Sequence, residues 1–257
     1  MHRPLHLLLP VLTLGALISA CSGDKGDDTG GGTDTGDGGT DSPCGPWSAV
    51  WQGGAQWDWV LDPAFAASEE KEGGWRTLAL GSEEFNGRIV WRTQDTAEYS
   101  GRVYKDEGSQ VEWRFSCDEQ GVWLHQFEGV WSRTNALGTE EGWWSVEFEE
   151  PPLWQPFDLA VGDSWEIDTS FDYSTQGTSS ARMGLTASFD VVGEQSVTVG
   201  AGTFDALEIA VEYSGDPRTD FDQDSYSKLV ARDVGDVQIV GRANLEDFEL
   251  DPSFQTQ

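Results

Sequence analysis

The chain has 257 residues, with 15 Lys and Arg against 46 Asp and Glu and a formal net charge of −31. A field of that sign repels nucleic acid and anionic headgroups, because binding either depends on releasing counterions to a basic surface; divalent cations and basic partners stay compatible with it. Beyond a leader and a low-complexity stretch about 214 residues remain, enough for one all-β domain.

Met1 to Ala20 has an early charge, Arg3, and an apolar body from Leu5 to Ile18 interrupted by His6, Pro10 and Gly15. A bilayer span needs about 20 apolar residues, so this shorter run predicts a signal peptide over residues 1–20 and not a transmembrane helix. Ile18-Ser19-Ala20-Cys21 resembles the lipobox of bacterial lipoproteins, in which the cysteine sulfur takes a diacylglyceryl group before cleavage. The resemblance implies lipidation at Cys21 and attachment to the cell envelope through that anchor. Ser22 stands where an inner-membrane retention signal has Asp, which favours the outer membrane.

From Ser22 to Pro43 the chain is almost entirely Gly, Asp, Thr and Ser. With no apolar residue to bury it cannot offset its ordering entropy, so residues 21–43 are expected to form a disordered tether behind the lipid, with a root-mean-square span of roughly 25 Å.

Residues 44–257 change to period two. Val111, Trp113, Phe115 and Cys117 alternate with Glu112, Arg114 and Ser116; Trp144, Val146 and Phe148 alternate with Ser145, Glu147 and Glu149. The pattern recurs at Trp165, Ile167, Thr169, Phe171 and Tyr173, at Leu185, Ala187, Phe189 and Val191, at Leu207, Ile209, Val211 and Tyr213, and at Val237 and Ile239. Each run predicts a strand with one buried side. Turn signals stand between them at Glu72-Gly73-Gly74, Asn86-Gly87, Glu107-Gly108, Asp118-Glu119-Gln120-Gly121, Gly200-Ala201-Gly202 and Ser214-Gly215-Asp216-Pro217. A helix of a turn or two is expected within Ala64–Glu72. The fold class is all-β, a curved antiparallel sheet forming a barrel, half-barrel or sandwich.

Candidates for chemistry are few. His125 is the single histidine after the leader, and a lone strand histidine is more often structural than a general base. Gly162-Asp163-Ser164 sits mid-chain ahead of a strand with no histidine after it, which argues against a hydrolase nucleophile. No enzyme activity is expected, and no cofactor beyond a candidate calcium loop. Asp220, Asp222 and Asp224 alternate as in the first half of such a loop, but Ser225 replaces its glycine and Ala231 its bidentate Glu, so a solvated hairpin loop is the stronger reading.

All thirteen tryptophans lie between Trp47 and Trp165. Adjacent strand residues point to opposite faces, so if Trp144 faces the core Trp143 faces out. Trp57, Trp59 and Trp143 are the candidate ligand-binding aromatics: exposed indoles beside carboxylates suit sugars, whereas the competing reading is that tryptophan fills a wide core.

Leu159-Ala160-Val161-Gly162-Asp163-Ser164-Trp165, Val192 to Leu207 and Val234-Gly235-Asp236-Val237 form an ordered set. It resembles the TapB-like, uncharacterised lipoprotein domain of bacteria over residues ~156–242, with Gly200 where that family carries proline and Asp236 where it carries an apolar or small residue. The resemblance implies a curved antiparallel sheet in an envelope lipoprotein and supplies no catalytic residue. It divides the β domain into a tryptophan-rich half, 44–155, and a TapB-like half, 156–257. The function expected is a non-enzymatic envelope lipoprotein whose acidic β domain binds or scaffolds an envelope protein or a glycan, with no nucleic-acid partner. The alternative is a carrier that encloses an apolar ligand in the sheet.

With Cys21 lipidated, Cys44 and Cys117 form an even pair in an oxidising compartment, where a disulfide persists and adds about 4 kcal/mol in the chain-entropy description. The alternative is two thiols, with Cys117 continuing an inward row. Thiol labelling of the native protein is expected to react with neither residue until reductant is added; labelling without reductant would end the pairing.

Overall fold

The computed structural model describes residues 54–101, 106–176, 178–215, 224–231 and 234–249. Alternation of aromatic or β-branched with polar residues makes thirteen strands, all joined by antiparallel pairing. In chain order they are β1 (Gln56–Leu61), β2 (Lys71–Phe85), β3 (Arg88–Gly101), β4 (Asp106–Cys117), β5 (Gly121–Asn135), β6 (Gly138–Phe148) and β7 (Leu153–Pro156). They continue as β8 (Ser164–Thr175), β9 (Thr178–Val199), β10 (Gly202–Gly215), β11 (Asp224–Ala231), β12 (Gly235–Ile239) and β13 (Ala243–Glu249). One described helix, α1 (Pro63–Glu69), links β1 to β2 and overlaps the range expected, starting one residue before it. Asp62 caps it, Oδ1 accepting from the N–H groups of Ala64 at 2.9 Å and Phe65 at 3.3 Å, and Pro63 opens its first turn.

Of the three architectures the alternation allows, the chain adopts the barrel. The spatial order β4-β3-β2-β1-β13-β12-β11-β10-β9-β8-β6-β5 closes when β5 pairs back onto β4, giving a closed 12-strand antiparallel ring. Strand β7 lies outside that count, paired to β5 at Gly121, Val122 and Trp123. Strand β1 pairs with β13, so the first and last described strands are neighbours.

Closing the sheet sends alternate residues inward on every strand. Trp57, Trp113, Phe115, Phe127 and Phe171 are fully buried there, and Trp113 stacks on Phe127 with centroids 4.7 Å apart. Trp165 stacks on Phe189 at 4.5 Å. The inward row Val111, Trp113, Phe115, Cys117 is buried along its length, as the alternation predicts. Cys44 lies outside the described residues.

Two predicted turns are strand interiors. Gly73-Gly74 lies within β2 and Gly108 within β4. A side chain at Gly74 would run into the Trp59 carbonyl of β1, so glycine there serves close backbone approach, which the sequence signal does not distinguish from a turn. Other signals mark real turns: Asn86 and Gly87 take φ of 50° and 76°, the pair of positive values that a two-residue hairpin turn requires. The Asp118 carboxylate accepts from Gln120 N–H at 2.8 Å to hold the β4–β5 reversal. At the β9–β10 tip the Ala201 N–H reaches across to the Leu245 carbonyl of β13 at 3.2 Å. Asp216 and Pro217, the rest of the signal after β10, lie outside the described residues.

Gly87→Ala keeps open space around its Cβ and is expected to cost about 1–2 kcal/mol through its left-handed backbone alone. Gly74→Ala must part β1 from β2 and is expected to cost at least twice as much, read as the shift in urea midpoint at unchanged slope.

Candidate functional site

The outer face of the barrel carries a groove over β3 to β6. Register sets Thr96, Gln110, Val130 and Trp143 in one row across the four strands, and Glu98, Gly108, Ser132 and Glu141 in the next. Gly108 contributes no side chain to the centre of the second row, which leaves a depression of about 520 Å³ bordered by these residues and Gln176. Trp143 is 45% exposed and Val130 51% exposed on it, while Trp144 is buried on the opposite face, as alternation predicts. The Trp143 backbone is held where β6 meets the end of β8: its carbonyl accepts from Gln176 N–H at 3.1 Å and from the Thr175 hydroxyl at 3.0 Å. An indole and a valine beside the Glu141 carboxylate, with Glu98 on the far border and amides and hydroxyls beside them, can bind a ligand that has both an apolar face and donor groups.

Trp57 and Trp59, the other two candidate aromatics, belong to the core. They are 0% and 2% exposed, because β1 turns Trp57, Trp59 and Leu61 inward and Asp58 and Val60 outward. The Trp57 indole N–H donates to the Val234 carbonyl at 3.0 Å, and Trp59 stacks on Trp75 at 5.2 Å. The wide-core reading holds for these two.

The candidate calcium ligand Asp224 is engaged elsewhere. Arg242 donates to both its carboxylate oxygens at 2.7 Å and lies over the Tyr226 ring at 5.0 Å. Partial burial would raise the Asp224 pKa, but the Arg242 hydrogen bonds and charge outweigh it and hold the pKa below the usual carboxylate range. Asp220 and Asp222 lie outside the described residues, and among the described residues no cluster of three His, Cys, Asp or Glu side chains is arranged to hold a metal.

Next to the groove, toward the β2–β3 turn, the same outer face carries an ion network. Arg114 meets Glu83 at 2.8 Å, Glu112 at 2.8 Å and Glu128 at 2.9 Å, and Arg92 meets Glu83 at 3.4 Å and Glu112 at 3.5 Å. Burial works against the Arg114 charge, but Glu83, Glu128 and Glu112 more than offset it and raise its pKa. Two cationic side chains are thus fixed among carboxylates of three strands, β2, β4 and β5. His125 sits at the bulge where β5 gains a residue against β4, its Nε2 2.7 Å from Ser116 Oγ and its ring edge-on to Phe85. Burial first, and then Arg88, lower its pKa. Neither His125 nor Ser116 borders the groove. Gly162-Asp163-Ser164 is a turn: Asp163 accepts from Ala160 N–H at 2.8 Å, Gly162 has φ of 98°, and Ser164 opens β8 on the surface.

Two polar groups inside the barrel were not legible as such. Lys228 and Asp236 form a buried pair at 3.2 Å, and burial raises the Asp236 pKa against the pull of Lys228. Asp95 lies 3% exposed on the inward row of β3 with Trp91, Thr93 and Ala97. It accepts from Thr77 Oγ1 at 2.5 Å and from the Trp113 indole N–H at 2.8 Å, yet desolvation outweighs both bonds and raises its pKa to about 7. The signal for Asp95 was present: an acid at an inward position of an alternating run. Nothing comparable pairs residues 228 and 236 in advance, because the bulge that brings Asp236 to the inner face is a backbone irregularity.

The chain matches no protein-family model, no curated protein and no solved structure. The fold and the groove therefore define it as a closed antiparallel barrel with an aromatic, acid-flanked depression on its outer face.

The Asp95 pKa lies above its unfolded value of 3.8, so the folded state keeps a proton that the unfolded chain releases. The stabilisation is complete below about pH 4 and lost as pH rises through about 7, on the order of 4 kcal/mol. Asp95→Asn can still accept from Trp113 and donate to Thr77. Its stability minus that of the native protein, from denaturant titrations between pH 4 and 8, is expected to rise with pH; a flat difference would mean Asp95 stays ionised.

Proposed function

We propose that this protein is a non-enzymatic, lipid-anchored envelope lipoprotein, and that its acidic barrel is a binding module for an envelope protein or a glycan. The observation that carries the reading is Trp143, a half-exposed indole set beside Val130 and Glu141 in the outer-face depression, with Glu98 on its far border. Aromatic side chains that meet inside the ring favour a surface site over a ligand enclosed in the sheet, the carrier alternative. In this reading Cys21 bears the lipid, residues 22–43 space the barrel from the membrane, and Cys44 with Cys117 forms a disulfide. The TapB-like resemblance of the second half supports the envelope assignment without assigning a ligand.

One experiment addresses anchor and site together. The full chain expressed in a bacterial host is expected in the detergent-extracted envelope fraction, and Cys21→Ser in the soluble fraction. Retention of the solubilised protein on immobilised envelope proteins or cell-wall glycan is expected to fall at least tenfold with Trp143→Ala, and to be unchanged with Val192→Ala, a distant exposed apolar residue. Equal retention of both variants would reject the groove as the binding surface.

A further inference from the structure

Strand β6 outruns its neighbour. It pairs with β5 from Gln126↔Glu147 to Asn135↔Gly138, but with β8 only from Trp144↔Thr175 to Phe148↔Phe171. Gln176 extends this by one bond, donating to the Trp143 carbonyl. A strand residue's N–H and C=O point to the same side and alternate along the strand. The bonded Trp143 carbonyl therefore fixes the direction of the next groups: those of Glu141 and Thr139 point into the space where β8 has ended. Among the described residues no strand pairs with that edge, and Gly138, Thr139, Glu140 and Glu141 are all exposed.

The outward side of that edge is acidic: Glu141 stands on it, while Glu140, on the other side of the strand, is bonded to Arg133. Like charge of this kind opposes pairing with a second copy of the same edge. The remaining features attract one type of partner. Thr139, Glu141 and Trp143 share the outer face, so a strand laid along β6 would present its outward side chains to the Glu141 carboxylate and to an exposed indole. Cationic side chains suit both.

Resting on the reading of the Trp143 groove as the binding surface, we propose that the β6 edge takes an added strand from an extended peptide with lysine or arginine at alternate positions. The N–H and C=O groups of Thr139 and Glu141 bond its backbone, and its cations lie against Glu141 and Trp143. The same chemistry places the partner among proteins with a basic, extended segment, to which a net charge of −31 gives long-range attraction.

The test is a titration of the full solubilised chain with an acetylated, amidated Lys-Val-Lys-Val-Lys peptide, read by calorimetry and indole emission. Saturable binding is expected, weakened at least tenfold by N-methylation of the peptide's alternate backbone nitrogens and by replacing its lysines with glutamates. Thr139→Pro removes the outward N–H, and with it the surface contact of the Thr139 hydroxyl with Thr134, but leaves the β5 backbone pairing intact, because edge strands accept proline where the N–H faces solvent; it too is expected to weaken binding tenfold with little change in melting temperature. Glu141→Lys should act likewise. Undiminished binding of the N-methylated peptide, or of the native peptide to Thr139→Pro, would overturn strand addition. A chain that ignores the peptide while cell-wall glycan fragments quench emission in a Trp143-dependent way would also overturn it, and would leave the groove itself as the binding surface.

Discussion

Everything else in this molecule depends on the pairing of β1 with β13 that closes the sheet. Once the ring is shut, each strand has one side that cannot reach water, and the sequence must supply that side with volume. Ring diameter grows with strand number, so twelve strands enclose more space than aliphatic side chains readily fill. Tryptophan answers that demand: Trp57, Trp59, Trp75, Trp91, Trp113, Trp144 and Trp154 are all in the core, and Trp131 and Trp165 pack against it. Gly142 belongs to the same solution. A Cβ there would come within 2.6 Å of the Trp131 indole, so its absence lets the ring lie flat against β6.

Closure also explains why polar groups are buried at all. Inward rows are long, and a polar residue within one is carried inside with its neighbours. Asp95 is tolerated because Thr77 and the Trp113 indole both donate to it and because it can hold a proton near neutrality. Lys228 and Asp236 neutralise each other, with the Gln155 amide oxygen 3.4 Å from the ammonium. The outer face obeys the opposite rule. It must keep a chain of net charge −31 soluble, and Arg92 and Arg114 are fixed among Glu83, Glu112 and Glu128. Among the described tryptophans Trp143 alone stands 45% exposed on that face.

The strands and their inward faces were legible because period two is a local signal. Inward residues were read correctly in β4, β6, β8, β9, β10 and β12, including the opposed pair Trp143 and Trp144. The choice among barrel, half-barrel and sandwich was not, since it turns on whether β1 pairs with β13, strands at opposite ends of the described chain. Gly73-Gly74 misled because glycine marks both reversals and close backbone approaches, and Gly108 misled although a Cβ there would meet only ordinary contacts. The groove was half legible. Trp143 stood out, but Gly108, Val130 and Glu98 join it only through register across three hairpin-linked strands. Trp57 and Trp59 looked equivalent to Trp143, and only the inward parity of β1 separates them.

The position of that exposed indole follows from strand length. A closed barrel removes edges only where neighbouring strands are equally long, and staggered strand ends leave overhangs. Here β5 and β6 run on past the end of β8, so among the described residues Trp143 is the last residue of β6 with a partner on the β8 side and Glu141 the next outward residue without one. Inside, the overhang is still covered, because Trp131 lies over Gly142 and Arg133 lies over Trp131 at 4.9 Å while bonding Glu140. The inner face of the hairpin is thereby held rigid although its edge is open. An acidic overhang with an indole at its root follows from the unequal pairing of β6 with β5 and with β8, and its place where the described pairing on the β8 side ends separates Trp143 from the other described tryptophans.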